Sequence, residues 1–270
     1  MYKSDNWRWC VGSLIEGFGL LFSSRAASIW LCLISLTFGV LHPGLAEAET
    51  SQQVHILIVT GGHDFEEPEF FAMFNQMKGI SFSHVAYGQD STMKLSPEEA
   101  KDFDAIVFYD MHQDKEPQWK GITQMLGQGK GMVFLHHSLW SYDGTWPEYA
   151  RILGGRASSK EQVVPGLSPT STYKHGEQVR VHIADKSSPI TNGLDDFTIE
   201  DETYNHYWVD PQVQVLLTTD NATSEREIAW SHNYDRSRVV YIELGHGPSA
   251  YENENYRTLV RQAIFWVSKK

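Results

Sequence analysis

Apolar, β-branched segments alternate with helical segments through the chain from about residue 54 to residue 137. The first runs from Val54 to Thr60 and ends in Gly61 and Gly62. Such a run is typical of a parallel strand that is covered on both faces. Further strands are predicted over 81–87, 104–109 and 131–137, with helices over 68–77 and 117–126. This alternation indicates βαβ units and an open parallel sheet, whose ligands bind beyond the carboxyl ends of the strands.

The remainder of the chain has more β-type pattern. Strands are predicted over 179–183 and 213–218, a hairpin over 227–231 and 238–243, and a closing helix over 255–267. Residues 158–175 are interpreted as a long loop. Because no linker or repeat divides residues 49–270, one domain is predicted. The expected fold is an α/β three-layer sandwich, with a flavodoxin-like, mainly parallel sheet and a β-rich C-terminal addition.

Residues 1–48 have the pattern of a secretory signal peptide. Arg25 precedes an apolar run over 26–41, and Ala46-Glu47-Ala48 fits the small-x-small cleavage rule. The run is shorter than the ~20 residues of a comfortable membrane span. We therefore expect cleavage after Ala48, export to the periplasm or the extracellular space, and no stable membrane span afterwards. An uncleaved anchor or a misassigned start codon is the alternative, because the stretch before the run is long.

Charge and cysteine content exclude several classes of function. The formal net charge is −12, and residues 1–48 hold as many basic as acidic residues, so this charge lies in residues 49–270. An acidic chain without a basic run is not expected to bind nucleic acid. The stretch 127–131 lacks the spacing of a nucleotide-binding phosphate loop, so no nucleotide is expected. Both cysteines, Cys10 and Cys32, lie in the first 32 residues, which excludes a thiol nucleophile in the folded part.

Six short motifs, in this order and spacing over about 190 residues, carry a resemblance to a known family. They are Thr60-Gly61-Gly62-His63-Asp64-Phe65, Leu135-His136-His137, Trp146-Pro147-Glu148-Tyr149, Asp201-Glu202-Thr203-Tyr204, Leu217-Thr218-Thr219-Asp220 and Gly245-His246-Gly247-Pro248. With them the chain resembles the trehalose-utilisation (ThuA-like) family. The resemblance implies the fold of the class I glutamine amidotransferases and a role in sugar metabolism. That superfamily has a nucleophilic cysteine where this chain has 136–138, so glutaminase activity is excluded.

The strongest candidates for chemistry are four histidines and one glutamate. Imidazoles combined with one carboxylate are the ligand types of zinc and other divalent ions, and they also serve as acid–base groups. The predicted catalytic residues are His137 and Glu202. His136 and His137 are expected to point to opposite sides of a strand end, so that His136 is equally well a core residue. The tentative metal ligands, with zinc slightly preferred, are His63, His137, Glu202 and His246.

Polar and aromatic groups near these residues are expected to bind the substrate. For each of them a structural role, as turn or core residue, is the competing interpretation. The set comprises Asp110, His136, Tyr204, His206 and Trp230. Trp230 is included because a flat aromatic face suits a sugar ring.

Two functions follow from these candidates. The first is an exported enzyme that acts on a carbohydrate or an oxidised (keto) sugar by hydrolysis, elimination or isomerisation. The alternative is a non-catalytic sugar-binding or accessory module that kept an enzyme fold. In both, the partner is a small-molecule sugar, and the sequence does not fix the oligomeric state.

Overall fold

The computed structural model describes residues 53–87, 95–112, 116–159 and 170–269. The predicted signal peptide lies outside these residues. In chain order, the elements are β1 (Val54–Gly61), α1 (Glu67–Asn75), β2 (Ile80–Ala86), β3 (Ala105–Asp110), α2 (Glu116–Gly127), β4 (Gly131–Leu135), a 3₁₀ helix (His136–Trp140), α3 (Pro147–Leu153), β5 (Gly155–Arg156), β6 (Thr172–Ile183), β7 (Phe197–Asn205), β8 (Trp208–Val209), β9 (Gln214–Thr219), β10 (Glu227–Tyr234), β11 (Ser237–Ile242), α4 (Pro248–Tyr251) and α5 (Glu254–Ser268).

Nine of the strands form one sheet in the order β2-β1-β3-β4-β11-β10-β9-β6-β7. The first five are parallel to their neighbours, in the order that characterises flavodoxin-like sheets. The last four extend the sheet with antiparallel pairs. The predicted mixed sheet, with a parallel core and β-rich additions towards the C-terminus, is confirmed.

Helices cover both faces of the parallel strands and form the outer layers. Side chains alternate along β1, so that Ile56 and Ile58 pack on the face covered by α1, α4 and α5. Leu57 and Val59 pack on the opposite face, which α2 and α3 cover. These β1 side chains are at most 2% exposed, as expected for a strand between two helical layers.

Sequence signals explain the position of the two best-defined helices. α1 has Pro68 in its first turn and acidic residues at its positive end, and it buries Phe70, Met73 and Phe74. α5 begins after Asn253, whose side chain accepts hydrogen bonds from two backbone N–H groups of the first turn. Its buried residues are the three-and-four repeat of the sequence, Tyr256, Leu259, Val260, Ala263, Ile264 and Val267. Within the described residues, none of the helices has the length and apolar character needed to cross a membrane.

β4 does not continue through the two histidines, as the sequence suggests. It ends at Leu135, and His136 begins a 3₁₀ helix with a backbone φ of +46°. A positive φ is uncommon for a residue with a side chain and is concentrated at functional sites. This turn brings the carboxyl end of β4 directly into the candidate site.

Candidate functional site

The candidate site lies at the carboxyl edge of the parallel strands. His63 follows β1, His136 and His137 follow β4, and His246 lies four residues after the end of β11. Glu202 comes from a different part of the sheet, the antiparallel strand β7. Ligands of open α/β sheets bind at this edge, which agrees with the prediction from the strand pattern.

Three donor atoms form a small, nearly regular triangle. His136 Nε2 lies 3.0 Å from Glu202 Oε2 and 3.2 Å from His246 Nδ1. The third side, from Glu202 Oε2 to His246 Nδ1, is 3.2 Å. Ligand atoms that surround a zinc ion tetrahedrally, at ~2.0–2.1 Å from the metal, are about 3.3 Å apart. With a nitrogen of His137 the set has four donors within 4.8 Å of one another, so this cluster could hold a metal ion.

The hydrogen bonds of His136 place two acceptors face to face. Its Nδ1 donates to the backbone carbonyl of Glu243, which fixes the proton on that nitrogen. Nε2 of the neutral ring is then an acceptor, and Glu202 Oε2 beside it is also an acceptor. A proton on Nε2, a hydrogen bond from the Tyr204 hydroxyl or from His246 Nδ1, or a metal ion between the two acceptors would relieve this repulsion.

His137 is 3% exposed, and both of its ring nitrogens lack a hydrogen-bond partner among the described residues. Buried polar atoms are nearly always paired, so an unpaired imidazole calls for an explanation such as an ion. Burial, together with the neighbouring His136, lowers the pKa of His137 well below its usual range. The ring is therefore neutral at neutral pH, which is the form that binds metals.

The pKa values of Glu202 and His246 are shifted in opposite directions. Burial opposes ionisation of Glu202, but the interactions of the carboxyl group with the imidazoles of His136 and His246 outweigh burial and hold its pKa well below the ordinary value. The same contact with Glu202 raises the pKa of His246. The site therefore contains an ionised carboxylate surrounded by imidazoles at neutral pH.

A pocket of about 310 Å³ opens onto this cluster. Glu202 and His137 form part of its wall and are the cluster residues that it reaches. The stacked ring of His63, 3.8 Å from that of His137 between centroids, lies beside them. The lining residues are His63, Met111, His137, Trp140, Ser159, Tyr173, His175, Glu202 and Tyr204.

The sequence reasoning missed His175 and Tyr173. β6 begins at Thr172, within the segment interpreted as a loop, and it has an irregularity between Lys174 and Glu177. His175 Nδ1 lies 3.1 Å from Glu202 Oε1, the oxygen that faces away from His136. Alternation of Tyr173 and His175 before Gly176 is the signal that indicates a bulged strand here.

The cluster in the structure differs from the predicted set of metal ligands by one residue. His136 takes the position assigned to His63, whose Nδ1 is 2.5 Å from the carbonyl oxygen of Asp64. The expectation that the rings of His136 and His137 point to opposite sides is wrong, because their centroids are 4.3 Å apart in the same cluster. The 3₁₀ helix, in place of a strand, is the physical reason.

Of the predicted substrate-binding residues, Tyr204 lines the pocket, and its hydroxyl lies 2.8 Å from His136 Nε2. Trp230, His206 and Asp110 do not line it. Trp230 is fully buried, and its Nε1 donates to the carbonyl of Leu153.

His206 and Asp110 have structural contacts instead. The backbone N–H of His206 donates to Glu225, in a turn with a positive φ. Asp110 is buried and accepts a hydrogen bond from Ser138 Oγ, beneath the 3₁₀ helix.

Comparison with known proteins agrees with this geometry at the level of the fold. A ThuA-like protein from Parabacteroides merdae has 15% identity and a TM-score of 0.66, covering 81% of this chain and 91% of its own. One from Bacteroides uniformis has 18% identity and a TM-score of 0.59, covering 83% and 94%. A Salmonella typhimurium LT2 protein described as cytoplasmic has 13% identity and a TM-score of 0.59, covering 80% and 100%.

A search of curated protein sequences finds no match. The family model described as "ThuA: Trehalose utilisation" matches residues 55–267, which include every residue of the cluster. The chain therefore belongs to the ThuA family.

Proposed function

We propose that this protein is an exported enzyme that acts on a carbohydrate or an oxidised, keto-type sugar, with a divalent metal held by His136, His137, Glu202 and His246. The observation that carries the proposal is the donor triangle, with sides of 3.0, 3.2 and 3.2 Å, beside the His137 ring, whose nitrogens have no hydrogen-bond partner in the part of the chain that the structure describes. Zinc is preferred among the metals because three imidazoles and a carboxylate suit it and its affinity for such sets is high.

The shape and lining of the pocket support a sugar as substrate. Trp140 and Tyr173 offer aromatic faces, on which the apolar face of a sugar ring packs well. A volume of about 310 Å³ is at the small end of ligand pockets and suits one sugar ring. The family description, trehalose utilisation, agrees with this substrate class.

The metal and His63 have separate roles in this proposal. The bound metal would polarise a carbonyl or hydroxyl oxygen of the substrate. His63 accepts a proton from the substrate. Burial lowers its pKa, and because its Nδ1–H is directed at the carbonyl of Asp64, Nε2 is the basic nitrogen. Proton removal beside a polarised carbonyl supports elimination or isomerisation, and proton removal from water supports hydrolysis.

Metal binding is tested by elemental analysis and zinc calorimetry on protein purified without a histidine tag. Binding near one equivalent is expected, and His137→Ala or Glu202→Gln should reduce the affinity at least 100-fold. His182→Ala is the matched control, since this histidine is on β6 and pairs with Asp196 away from the pocket. Less than a tenth of an equivalent, with no stabilisation by added zinc, would refute the metal centre.

Activity is tested by incubating the protein with keto-sugars and ordinary disaccharides, with and without chelator. Product that disappears with chelator and with His63→Gln, while this variant keeps its metal, is the expected result. Saturable sugar binding without product would instead support the binding-module alternative.

Export is tested by N-terminal sequencing of the protein from its host. A start at Glu49 is expected, and a chain that retains residues 1–48 would contradict cleavage.

A further inference from the structure

Asp201, which precedes Glu202 on β7, accepts three backbone hydrogen bonds. Its Oδ2 accepts from Gly245 N–H at 2.7 Å, and its Oδ1 accepts from His246 N–H and Glu202 N–H, both at 2.9 Å. The residue is 4% exposed, so these amides replace solvent around the carboxylate. Two of the three belong to Glu202 and His246, which both contribute donor atoms to the cluster.

The turn that carries His246 is held from its other side by two tyrosines. Tyr109 Oη donates to the carbonyl of Gly245 at 2.9 Å, and Tyr251 Oη lies 2.8 Å from Tyr109 Oη and 3.3 Å from the carbonyl oxygen of His246. Both backbone N–H groups of this two-residue turn are directed at Asp201, and both carbonyls are directed at tyrosine hydroxyls. The position of the His246 ring is thus set by a frame of backbone hydrogen bonds.

No strand ladder joins Glu202 to this turn. β7 is at the outer end of the sheet, four places from β11 in the order of pairing. The carboxylate of Asp201 therefore connects two chain segments that the sheet leaves separate.

We infer that Asp201 is a positioning residue that fixes His246 and Glu202 relative to each other, so that the metal cluster is assembled before the metal binds. The inference rests on the proposed metal centre. Residues that orient metal ligands typically change the metal affinity by about 10–100-fold when they are replaced.

Asp201→Asn tests the inference. The side-chain NH₂ group of asparagine replaces one carboxylate oxygen, so a donor would face a backbone N–H group that now has an acceptor. We expect the dissociation constant for zinc to rise at least 10-fold. In metal-free protein, hydrogen exchange at the amides of Gly245 and His246 should accelerate at least 10-fold. Exchange at core strand β1 should remain within threefold of the wild type, because the effect is local.

Asp143→Asn is the matched control. Asp143 is also 4% exposed and accepts a hydrogen bond from the backbone N–H of Ser159, yet it holds no residue of the cluster. Its zinc affinity should stay within twofold of the wild type. If Asp201→Asn does not fold, Asp201→Glu replaces it, and the longer side chain should weaken zinc binding in the same direction.

The outcomes separate this inference from the metal centre itself. Unchanged zinc affinity in Asp201→Asn, or an equal loss in Asp143→Asn, would overturn the positioning role. A wild-type protein that binds no zinc would refute the metal centre and, with it, assembly of a metal site. The exchange rates would then decide only whether Asp201 fixes the turn.

Discussion

Glu243 is a buried glutamate whose surroundings favour the protonated acid. Its Oε2 lies 2.5 Å from Tyr207 Oη, which is also 2.5 Å from the carbonyl oxygen of Glu227. A phenol has one hydrogen and cannot donate to both acceptors, so a proton on Glu243 completes the chain of hydrogen bonds. Burial raises the pKa of Glu243 to about 8, although bonds from Tyr207, the Tyr204 amide and Ser224 oppose the shift.

This pKa makes the stability of the fold depend on pH in a defined direction. Between the ordinary carboxyl value of 4.5 and about 8, the folded chain holds a proton that the unfolded chain has lost. The free energy of unfolding therefore falls as pH rises through this window. At about 1.4 kcal/mol per pH unit, the whole window corresponds to about 5 kcal/mol, of which about 3 kcal/mol is lost by pH 7.

Glu243→Gln removes this titration while it keeps the hydrogen-bond pattern of the acid. The amide oxygen can accept from Tyr204 N–H and Ser224 Oγ, and the amide nitrogen can donate to Tyr207 Oη. Relative to the wild type, the variant should gain at least ~2 kcal/mol of unfolding free energy between pH 5 and pH 8, since only the wild type has this titrating acid.

Urea unfolding from pH 5 to pH 8, with chelator present to exclude metal, measures this difference. Other groups titrate equally in both proteins and cancel in the comparison. Glu200→Gln, an exposed position on β7, is the control and should follow the wild type at every pH. A Glu243→Gln difference that stays constant within 0.5 kcal/mol, about the error of such comparisons, would refute the assignment of a neutral Glu243.

Three further predictions concern the site. Gly245→Ala should destabilise the protein by more than about 2 kcal/mol in urea, because its φ is +122° and a Cβ would lie 2.2 Å from Tyr256 Oη. Gly193→Ala is the comparison: φ is also positive there but the space around the added Cβ is open, so this variant should lose less unfolding free energy than Gly245→Ala. Zinc affinity, measured by calorimetry, should fall at least 10-fold from pH 7.5 to pH 5.5, because the imidazoles must be neutral to bind. Tyr173→Ala should weaken sugar binding about 3- to 10-fold and leave the metal content unchanged.

Local sequence patterns were sufficient to locate the first four parallel strands, β1 to β4, whereas β11 was predicted only as part of a hairpin. Val54–Gly61 is mostly apolar, with five consecutive buried residues, because helices cover both of its faces, and such a run is readily recognised as a buried parallel strand. The six buried residues of α5 follow from the period of 3.6 alone. The strand β6 was predicted too short because its first half is exposed and irregular, so that it lacks a buried face to mark it.

Which residues belong to the site was easier to predict than how their side chains are arranged. His137, Glu202 and His246 were identified because reactive residue types follow strands or glycines. The place of His136 depends on a positive φ, which the sequence does not encode at a residue other than glycine. Trp230 was misplaced for a different reason. Added Cβ atoms at Gly154 and Gly155 would lie 3.0 and 2.4 Å from its ring atoms, so these glycines make room for a buried tryptophan.

Glu202 lies beside the histidines because of long-range contacts, and local sequence patterns do not reveal such contacts. Tyr204 N–H donates to the side chain of Glu243, and Asp201 accepts from the turn after β11, across more than 35 residues of sequence. These hydrogen bonds bring the outermost antiparallel strand back to the carboxyl edge of the parallel strands. The parallel half supplies the imidazoles and the antiparallel half supplies the carboxylate, so neither half has a complete donor set by itself. The proposed metal site therefore depends on the β-rich addition as much as on the flavodoxin-like sheet.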